Sequence, residues 1–417
     1  MRRNVTPPPA RLSAALREHR HGHALPRAFA VDPEIYEHEL EAIWRRSWLF
    51  AGPSIQAPLP GDFFRFDLGD DSVIVGRGHR GELIALHNTC RHRGMPVCEG
   101  ESGHVERWVC PYHQWSYELD GSLRTCGGMN DQLQRADYGL VRAGVAEIGG
   151  LVFVWLGSDP EPLGEAATEL AAALAPQGLE RATVAHQIDY EVGANWKLIW
   201  DNNRECWHCH ASHPQYVRAN FDNAPDNETT RALIARRSSD HARALGVARA
   251  VDHGEPGLYP FPSPGRWWSA SRTSLAPDFV TESLDGAPVA PLMGEYAEYD
   301  VGTLRVRTVP NFWCHASADH VVATRLAPAG PELTRVRVQW LVDREAVAGR
   351  DYDPGRLLPF WRVTSEQDWS LCERNHRGVR NPAFVPGPYS LAREQNVIAF
   401  ADWYPARVAD AGQVAKA

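Results

Sequence analysis

The chain has 417 residues, of which 43% are hydrophobic and 23% are charged, and its formal net charge at pH 7 is −9. This length allows two domains with separate cores, and the acidic balance without a basic patch argues against nucleic acid as the main partner. No apolar run approaches the roughly 18 residues of a membrane span, and Arg2-Arg3 is followed by prolines and charges where an export signal needs an apolar stretch. We therefore expect a cytoplasmic protein that does not cross a membrane.

The sequence of the first third of the chain predicts a disordered beginning, then one helix and a small β-unit. Residues 1 to 30 are rich in Pro, Arg and His and are expected to begin disordered. Asp32-Pro33 supplies an N-cap and a first-turn proline, which together with the apolar spacing predict a helix over 33 to 46. From Gly61 onward, short β-rich runs predict an antiparallel meander, followed by a hairpin that turns at Asp120-Gly121 and a closing strand over 149 to 156.

The rest of the chain predicts a second, mixed domain after an Ala-rich connecting helix. A strand over "TVAHQIDYEV" precedes a helix that begins at Asn195 and runs through "NWKLIWDNNRECWHCH". Residues 215 to 265 show no clear period and are expected to be loop-rich. Four strand candidates from "TLRVRTVP" to "TRVRVQWLVD" predict a curved antiparallel sheet, and a helix from about Gly355 to His376 follows.

Eight cysteines are too few for a disulfide scaffold in a chain of this length. Two of them belong to the metal-binding pattern described next. The others are expected to be reduced thiols, mostly buried as small hydrophobic residues: Cys98, Cys126, Cys206, Cys209, Cys314 and Cys372.

Two short metal-binding patterns lie between Cys90 and His113. The first is Cys90-x-His92, and after seventeen residues the second is Cys110-x-x-His113. Two thiolates and two imidazoles are the ligands of a Rieske [2Fe-2S] centre, in which the imidazoles raise the potential of one iron. A structural zinc site is the alternative, but zinc fingers usually pair Cys with Cys and His with His. The mixed pairs therefore favour a cluster that relays single electrons.

A second set of metal-ligand residue types lies in "ECWHCHASHP". His208 and His213 are five residues apart, after a predicted helix that Pro214 should end. Two imidazoles and one carboxylate can hold an octahedral iron and leave three positions for oxygen and substrate. Alone the pattern is ambiguous, because such histidines are often surface or core residues and Glu205 could be a solvated charge. The Rieske pattern favours the iron site, since an electron relay needs an acceptor.

The carboxylate of this site cannot be chosen from spacing. Glu366, Asp368 and Glu373 lie on the same predicted helix, and sequence separation does not show which of them faces the histidines. His210 lies between the two histidines in sequence. Its two-residue offset from His208 places its side chain on the far side of a helix, so we expect a surface or supporting role.

Several motifs together carry a resemblance to a known family. "CRHRG", "CPYHQWSYELDG", "NWKLIWDNNRECWHCHASHP" and "EQDWSLCERNHRGV", followed by "PGPYS", resemble the catalytic (alpha) subunits of Rieske non-haem iron oxygenases. The resemblance covers about residues 25 to 404 and is greatest to the branch with glycine betaine monooxygenase, stachydrine demethylase and choline monooxygenase, with carnitine monooxygenase more distant. It implies an α+β chain in which a small all-β Rieske domain (47–160) accompanies a helix-grip (START-like) catalytic domain with an antiparallel sheet (161–417). Residues 1–46 would pack on the catalytic domain.

The resemblance also implies roles for individual residues. His208, His213 and Asp368 would bind a mononuclear Fe(II), and Glu205 would bridge this site to a Rieske histidine of a neighbouring subunit in a homotrimer. His113 is favoured over His92 as that histidine. Electrons would come from NAD(P)H through a separate flavin reductase, and O2 would be the co-substrate.

For the organic substrate we hypothesise a quaternary or tertiary methylammonium compound, such as glycine betaine or stachydrine, that is oxidised at an N-methyl group. Aromatic faces hold such a cation, and the later part of the chain offers Tyr259, Phe261, Trp267, Trp268 and Trp313. The same residues would serve equally well as core.

Two alternatives remain open from the sequence. The same iron site could hydroxylate an aromatic or natural-product substrate instead. A Rieske electron carrier without oxygenase activity is the second, although the roughly 250 residues after the Rieske pattern argue against it.

Overall fold

The computed structural model describes residues 9–129, 133–222, 224–244, 261–263 and 265–410. The chain divides into two compact units: Arg45–Leu163 forms the smaller one, and Met1–Trp44 joins Gly164–Ala417 in the larger one. Within the described residues, no helix combines the length and the apolar character that a membrane crossing requires.

The smaller unit is built from short antiparallel strands in three sheets. Their orders are β1-β10-β9, β4-β3-β2-β5 and β6-β7-β8. At the predicted hairpin, Gly121 adopts φ +87° and the Asp120 carboxylate accepts the Ser122 backbone N–H, so the Asp-Gly turn prediction is confirmed. The strands in the described part of this unit are β1 Leu49–Pro53, β2 Asp62–Leu68, β3 Asp71–Arg77, β4 Leu83–His87, β5 Ser102–His104, β6 Trp108–Val109, β7 Ser116–Tyr117, β8 Leu123–Thr125, β9 Gly144–Ile148 and β10 Leu151–Trp155.

The larger unit is organised around one antiparallel sheet of order β11-β16-β15-β14-β13-β12. The predicted strands of the second domain are present, so the mixed helix and sheet class with an antiparallel sheet is confirmed. The strands are β11 Ala182–Val192, β12 Trp268–Thr273, β13 Thr303–Thr308, β14 Phe312–Ala316, β15 Val321–Gly330 and β16 Leu333–Asp343. The helices are α1 Ala10–Glu18, α2 Ala28–Val31, α3 Pro33–Ala42, α4 Ala171–Leu174, α5 Trp196–Arg204, α6 Cys209–Ser212, α7 Pro214–Ala219, α8 Glu228–Ala244, α9 Pro354–Leu357, α10 Pro359–Arg380 and α11 Gln395–Asp410.

One face of this sheet is packed under α5 and α10. Trp313 of β14 has its ring centroid 6.2 Å from that of Trp200 on α5 and 6.5 Å from that of Trp369 on α10. On the same face, the rings of His315 and Trp361 are 4.1 Å apart. The long helix α10 therefore lies over the middle of the sheet, where an enclosed site can form.

A buried polar cluster fixes α3 against α5 and α11. Glu39 of α3 accepts hydrogen bonds from Lys197 Nζ at 2.6 Å, from Trp196 Nε1 at 2.8 Å and from the Tyr404 hydroxyl. Because a buried carboxylate needs such partners, this cluster ties the amino-terminal segment to α5 and α11.

Several local predictions were wrong. Within the segment 1 to 30 that was expected to begin disordered, α1 starts already at Ala10 and α2 follows, while residues 1 to 8 lie outside the described residues. The region after 215, expected to be loop-rich, contains α8. The helix that begins at Asn195 ends at Arg204, because Glu205 is extended, with φ −138° and ψ 167°. Pro214 is the first residue of α7 and does not mark the end of a helix. Proline has no backbone N–H, but the N–H groups of the first helical turn have no partner within the helix, so a proline is tolerated there. The late helix continues past His376 to Arg380.

Candidate metal centres

The two loops that carry the Cys and His residues of the smaller unit share one backbone design. In the first loop, the Cys90 N–H donates to Met95 O and the Gly94 N–H donates to Cys90 O. In the second loop, the Cys110 N–H donates to the Trp115 carbonyl and the Gln114 N–H donates to the Cys110 carbonyl. The residue four positions after each cysteine has a positive φ, +80° at Gly94 and +58° at Gln114. Each loop therefore closes tightly around its cysteine.

This closure places the sulfurs inside, leaves His113 exposed and leaves His92 half-buried. Cys90 and Cys110 are 2% and 1% exposed, and the His92 and His113 rings have centroids 4.6 Å apart. The His92 ring is stacked on Trp115 at 4.9 Å, and within the described part of the chain its buried Nδ1 has no hydrogen-bond partner. Because such an orphaned nitrogen is costly unless it binds something, the four residues fit a Cys2His2 [2Fe-2S] cluster.

In the larger unit, two histidines and an aspartate from distant parts of the chain converge. His213 Nε2 lies 2.9 Å from Asp368 Oδ1, and His208 Nε2 lies 3.3 Å from the same oxygen. Asp368 is on α10, and the two histidines lie on either side of the short helix α6. Two Nε2 atoms and one carboxylate facing one point fit a mononuclear 2-His-1-carboxylate iron site.

Each histidine is oriented by a partner on its other ring nitrogen. His208 Nδ1 is 2.5 Å from Glu205 Oε1, and His213 Nδ1 is 2.8 Å from Gln367 Oε1. With both Nδ1 atoms engaged, the Nε2 atoms remain as the ones that face Asp368, which is how outer partners prepare histidines for a metal. Asn202 Nδ2 is also 3.3 Å from His208 Nε2.

The charges of this cluster reinforce one another. Burial alone would lower the pKa of His208, but hydrogen bonds to Asp368 and Glu205 outweigh it and raise the pKa to about 9. Burial alone would raise the pKa of Asp368, but the hydrogen bonds from both histidines hold it below its ordinary value. The aspartate is therefore held as a carboxylate, the form that binds a metal cation.

Neighbouring residues of the same stretch have other roles. Cys206 and Cys209 form a disulfide with their Cα atoms 5.0 Å apart, so the prediction that both are reduced thiols was wrong. The Cys209 sulfur lies near the two histidines, yet the disulfide removes it as a thiolate ligand. His210 is exposed, consistent with the expected surface role.

A cavity opens beside Asp368, between the sheet and α10, and its empty space, open solvent included, is about 360 Å³. Three tryptophans line it, and the indole N–H groups of Trp361 and Trp369 find no hydrogen-bond partner among the residues that the structure describes. The full lining is Asn202, Asn203, Trp313, His315, Val322, Thr324, Trp361, Ser365, Asp368 and Trp369.

Of the five aromatic residues suggested from sequence, Trp313 lines this cavity. Phe261 packs over the Arg204 guanidinium with 5.0 Å from Cζ to the ring centroid, and Trp268 packs in the same way with Arg266 at 4.4 Å. Trp267 is half-buried just before β12, and Tyr259 lies outside the described residues.

The sequence reasoning missed the cavity residues on α10 and the partner of His213. Once Asp368 is chosen, helical periodicity offers a signal, since Trp361, Ser365 and Asp368 lie at spacings of four and three on one helix face. Gln367 gave no such signal, because it reaches His213 from a neighbouring face.

Comparison with known proteins identifies the family. Residues 47–135 match the "Rieske [2Fe-2S] domain", and residues 179–410 match the "Ring hydroxylating alpha subunit (catalytic domain)". The chain belongs to the Rieske ring-hydroxylating oxygenase alpha-subunit family. The resemblance inferred from the motifs is thereby confirmed, and the electron-carrier alternative is wrong.

Individual relatives of this oxygenase are similar over nearly the whole chain. The glycine betaine monooxygenase oxygenase subunit of Chromohalobacter salexigens is 38% identical over 393 residues, which cover 93% of this chain and 86% of the relative. The subunit of the same name from Pseudomonas aeruginosa PA14 is 36% identical over 410 residues, covering 96% and 93%. The quaternary ammonium Rieske monooxygenase CntA in complex with its substrate L-carnitine shares the fold, with a TM-score of 0.70, 21% identity and coverage of 93% and 96%.

The oxygenase therefore uses a Rieske [2Fe-2S] cluster and a mononuclear iron, the two cofactors of its family. The donor sets of the two candidate centres fit these cofactors. Its fold is the expected Rieske domain plus catalytic domain with an antiparallel sheet.

Proposed function

We propose that this oxygenase N-demethylates a small quaternary or tertiary methylammonium compound, with glycine betaine or stachydrine as the first candidates. The observation that carries the proposal is the tryptophan-lined cavity next to Asp368. Indole faces attract a methylated cation that has no N–H to donate, each by about 0.5 to 2 kcal/mol when water is excluded. The names of the most similar relatives support the same substrate class.

In this proposal the chain's metal-binding residues divide between two centres. Cys90, His92, Cys110 and His113 hold the [2Fe-2S] cluster, while a separate set, His208, His213 and Asp368, holds the Fe(II). When bound, the two groups supply electrons and the place where O2 is reduced. The chain's own contribution is to present two Nε2 atoms and one carboxylate on one side and to leave the cavity side for O2 and substrate.

The overall reaction balances on the substrate. One O2, two electrons and two protons convert an N-methyl C–H bond into C–OH and release one water. The N-hydroxymethyl compound then breaks its C–N bond, giving formaldehyde and the demethylated amine, with the hydroxyl proton passing to solvent. The tryptophans hold the ammonium so that a methyl group faces Asp368 and its two histidine neighbours.

Glu205 has two parts in the proposal. Its carboxylate orients His208 through Nδ1 within the subunit. Its other oxygen accepts a hydrogen bond from the backbone N–H of Trp207, whose side chain is exposed. We assign Glu205 as the bridge for electrons from a Rieske histidine, favouring His113, of a neighbouring subunit in a homotrimer.

The remaining parts of the proposal concern the working system. A separate flavin reductase passes electrons from NAD(P)H to the cluster, and the protein acts in the cytoplasm. The functional division of the chain is a segment of residues 1–46, a Rieske domain of residues 47–160 and a catalytic domain of residues 161–417.

A substrate screen with formaldehyde detection tests this function. The purified oxygenase, a generic flavin reductase and NADH are incubated with glycine betaine, stachydrine, choline, carnitine and an aromatic such as naphthalene. We expect formaldehyde equal to the substrate consumed with at least one methylammonium compound and none with the aromatic. Hydroxylation of the aromatic, with no formaldehyde from any methylammonium compound, would overturn the proposal.

A further inference from the structure

Two arginines lie on the cavity-facing side of the sheet, next to residues that line the cavity. Arg307 on β13 is the direct cross-strand neighbour of Trp313 on β14, and Arg305 is the neighbour of His315. Trp313 and His315 line the cavity. Because cross-strand neighbours project on the same side of a sheet with Cβ atoms about 5 Å apart, both arginines lie beside the cavity floor.

The charge of Arg305 and the polar atoms of His315 already have partners. Arg305 donates through Nη1 and Nη2 to the Asp222 carboxylate at 2.8 Å each. Burial alone would raise the pKa of Asp222, but the charge and hydrogen bonds of Arg305 outweigh it and lower the pKa to about 2. His315 Nδ1 lies 3.5 Å from Glu282 Oε2. These two groups are therefore structural ion-pair members and have little capacity left for a ligand.

Arg307 differs from them. Its guanidinium makes one hydrogen bond within the described part of the chain, from Nε to Asn203 Oδ1 at 3.2 Å, and no ion pair there. Asn203 itself lines the cavity. Burial and the nearby Arg305 charge lower the pKa of Arg307 to about 10, so the group stays charged at neutral pH. The Asp222 charge acts on it from a distance, but no carboxylate of the described residues is hydrogen-bonded to it. An incompletely compensated cation of this kind is costly unless an anion joins it.

Arg204, the other desolvated arginine near this end of the cavity, is not available in the same way. Its guanidinium lies between the faces of Trp200 and Phe261, with 5.9 and 5.0 Å from Cζ to the ring centroids, and it is 7% exposed overall. Burial and the nearby Arg307 charge lower the pKa of Arg204 well below its ordinary value, whereas the charge of Asp201 acts in the opposite direction.

We infer that Arg307, positioned by Asn203, binds a carboxylate carried by the substrate. It thereby selects betaines over methylammonium compounds that carry no carboxylate, such as choline. The inference rests on the proposed function and adds that the carboxylate end of the substrate decides which methylammonium compound is bound. Two Nη groups can hold a carboxylate through two parallel hydrogen bonds. With Trp313 as its direct neighbour, Arg307 matches a ligand whose cation and anion are separated by one or a few carbon atoms.

Equilibrium binding to the full oxygenase tests the inference without requiring turnover. Dissociation constants for glycine betaine and choline are measured by calorimetry on the wild type, Arg307→Gln and Arg307→Lys. We expect the wild type to prefer glycine betaine. Arg307→Gln should weaken glycine betaine about 10- to 100-fold, as for a lost hydrogen bond to a charged group, and change choline by less than about threefold. Arg307→Lys, which keeps the charge without the two-pronged geometry, should fall between.

Arg335→Gln is the matched control, since it removes an arginine from an exposed position on the same sheet and should change neither constant. The visible spectrum of the cluster and thermal unfolding show whether each variant is folded, and the lysine variant decides the question if the glutamine variant is not. Equal weakening of both ligands, no weakening of glycine betaine, or a wild-type preference for choline would each overturn the role of Arg307 while leaving N-demethylation intact. If the wild type binds neither compound and releases no formaldehyde, the proposed function fails together with the inference.

Discussion

The two candidate metal centres of this chain are built in opposite ways. The Cys and His residues of the smaller unit come from two loops near each other in sequence, each closed by its own backbone hydrogen bonds. The site of the larger unit joins residues 155 positions apart and depends on side chains, Glu205 and Gln367, to aim its histidines. The first centre is thus a local backbone structure, and the second is a product of tertiary packing.

This difference indicates how each centre should respond to damage. A loop that closes on itself tolerates change in the rest of the domain but is sensitive to its own backbone angles. A site assembled by packing is sensitive to the side chains that orient its ligands. The cluster and the mononuclear iron should therefore be separable by mutation.

The largest effect is expected from Asp368→Ala. Removal of the carboxylate that both histidines face should abolish turnover, a loss beyond the about 10- to 100-fold typical of an outer partner. Iron analysis should fall from three atoms per chain toward the two of the cluster, with the visible cluster spectrum unchanged. Glu366→Ala, an exposed carboxylate on the same helix, is the control and should keep all three. Retention of the third iron by Asp368→Ala would remove this residue from the ligand set.

Cys110→Ala is the reciprocal change. We expect it to lose the cluster, and with it the visible absorbance and turnover, while the larger unit still binds one iron per chain. Cys98→Ala removes another buried thiol of the same unit and should keep the cluster. Loss of the mononuclear iron along with the cluster in Cys110→Ala would show that the two centres are not separable.

An intermediate effect is expected from Gln367→Met. The substitution keeps the side-chain length and removes the oxygen that holds His213 Nδ1. Iron affinity, measured by competition with a chelator, should fall about 10- to 100-fold while the cluster spectrum stays the same. Glu366→Gln is the matched control. Unchanged affinity would mean that packing alone orients His213.

The smallest effect concerns the loop backbone. Gly94→Ala and Gly81→Ala each place a Cβ at φ near +80° with no atom within 4 Å, so each should lower the free energy of unfolding by about 1 kcal/mol through backbone strain alone. Urea unfolding followed by tryptophan fluorescence checks this. Gly94→Ala should in addition reduce the cluster content of the purified protein, whereas Gly81→Ala should not. Equal cluster content in both would show that the loop angle does not govern cluster binding.

The same contrast explains what the sequence could predict. The candidate cluster ligands could be predicted because both pairs fall in one short stretch, where residue type and spacing carry the information. For the iron site, spacing left Glu366, Asp368 and Glu373 open, because the helix face that meets His208 and His213 is decided by packing on the sheet. Only the resemblance to the family singled out Asp368.

Two features could not be predicted from the sequence, for physical reasons. The helix before His208 ends at Arg204 because the Glu205 carboxylate turns to bind the Trp207 N–H and His208, an alternative that helical periodicity cannot show. Arg307 was not identifiable as the proposed carboxylate ligand, because the chain contains many arginines. That no acidic residue of the described ranges forms an ion pair with it becomes visible only when the neighbours of β13 are known.

A single-turnover experiment tests the central claim most directly. Oxygenase with its cluster chemically reduced in advance is mixed with O2 and glycine betaine in the absence of any reductase, and formaldehyde and cluster oxidation are followed together. We predict that wild-type protein releases formaldehyde as the cluster is oxidised and that Asp368→Ala, with the same reduced cluster, releases none. Cluster oxidation without formaldehyde in the wild type, or equal formaldehyde from Asp368→Ala, would contradict the account.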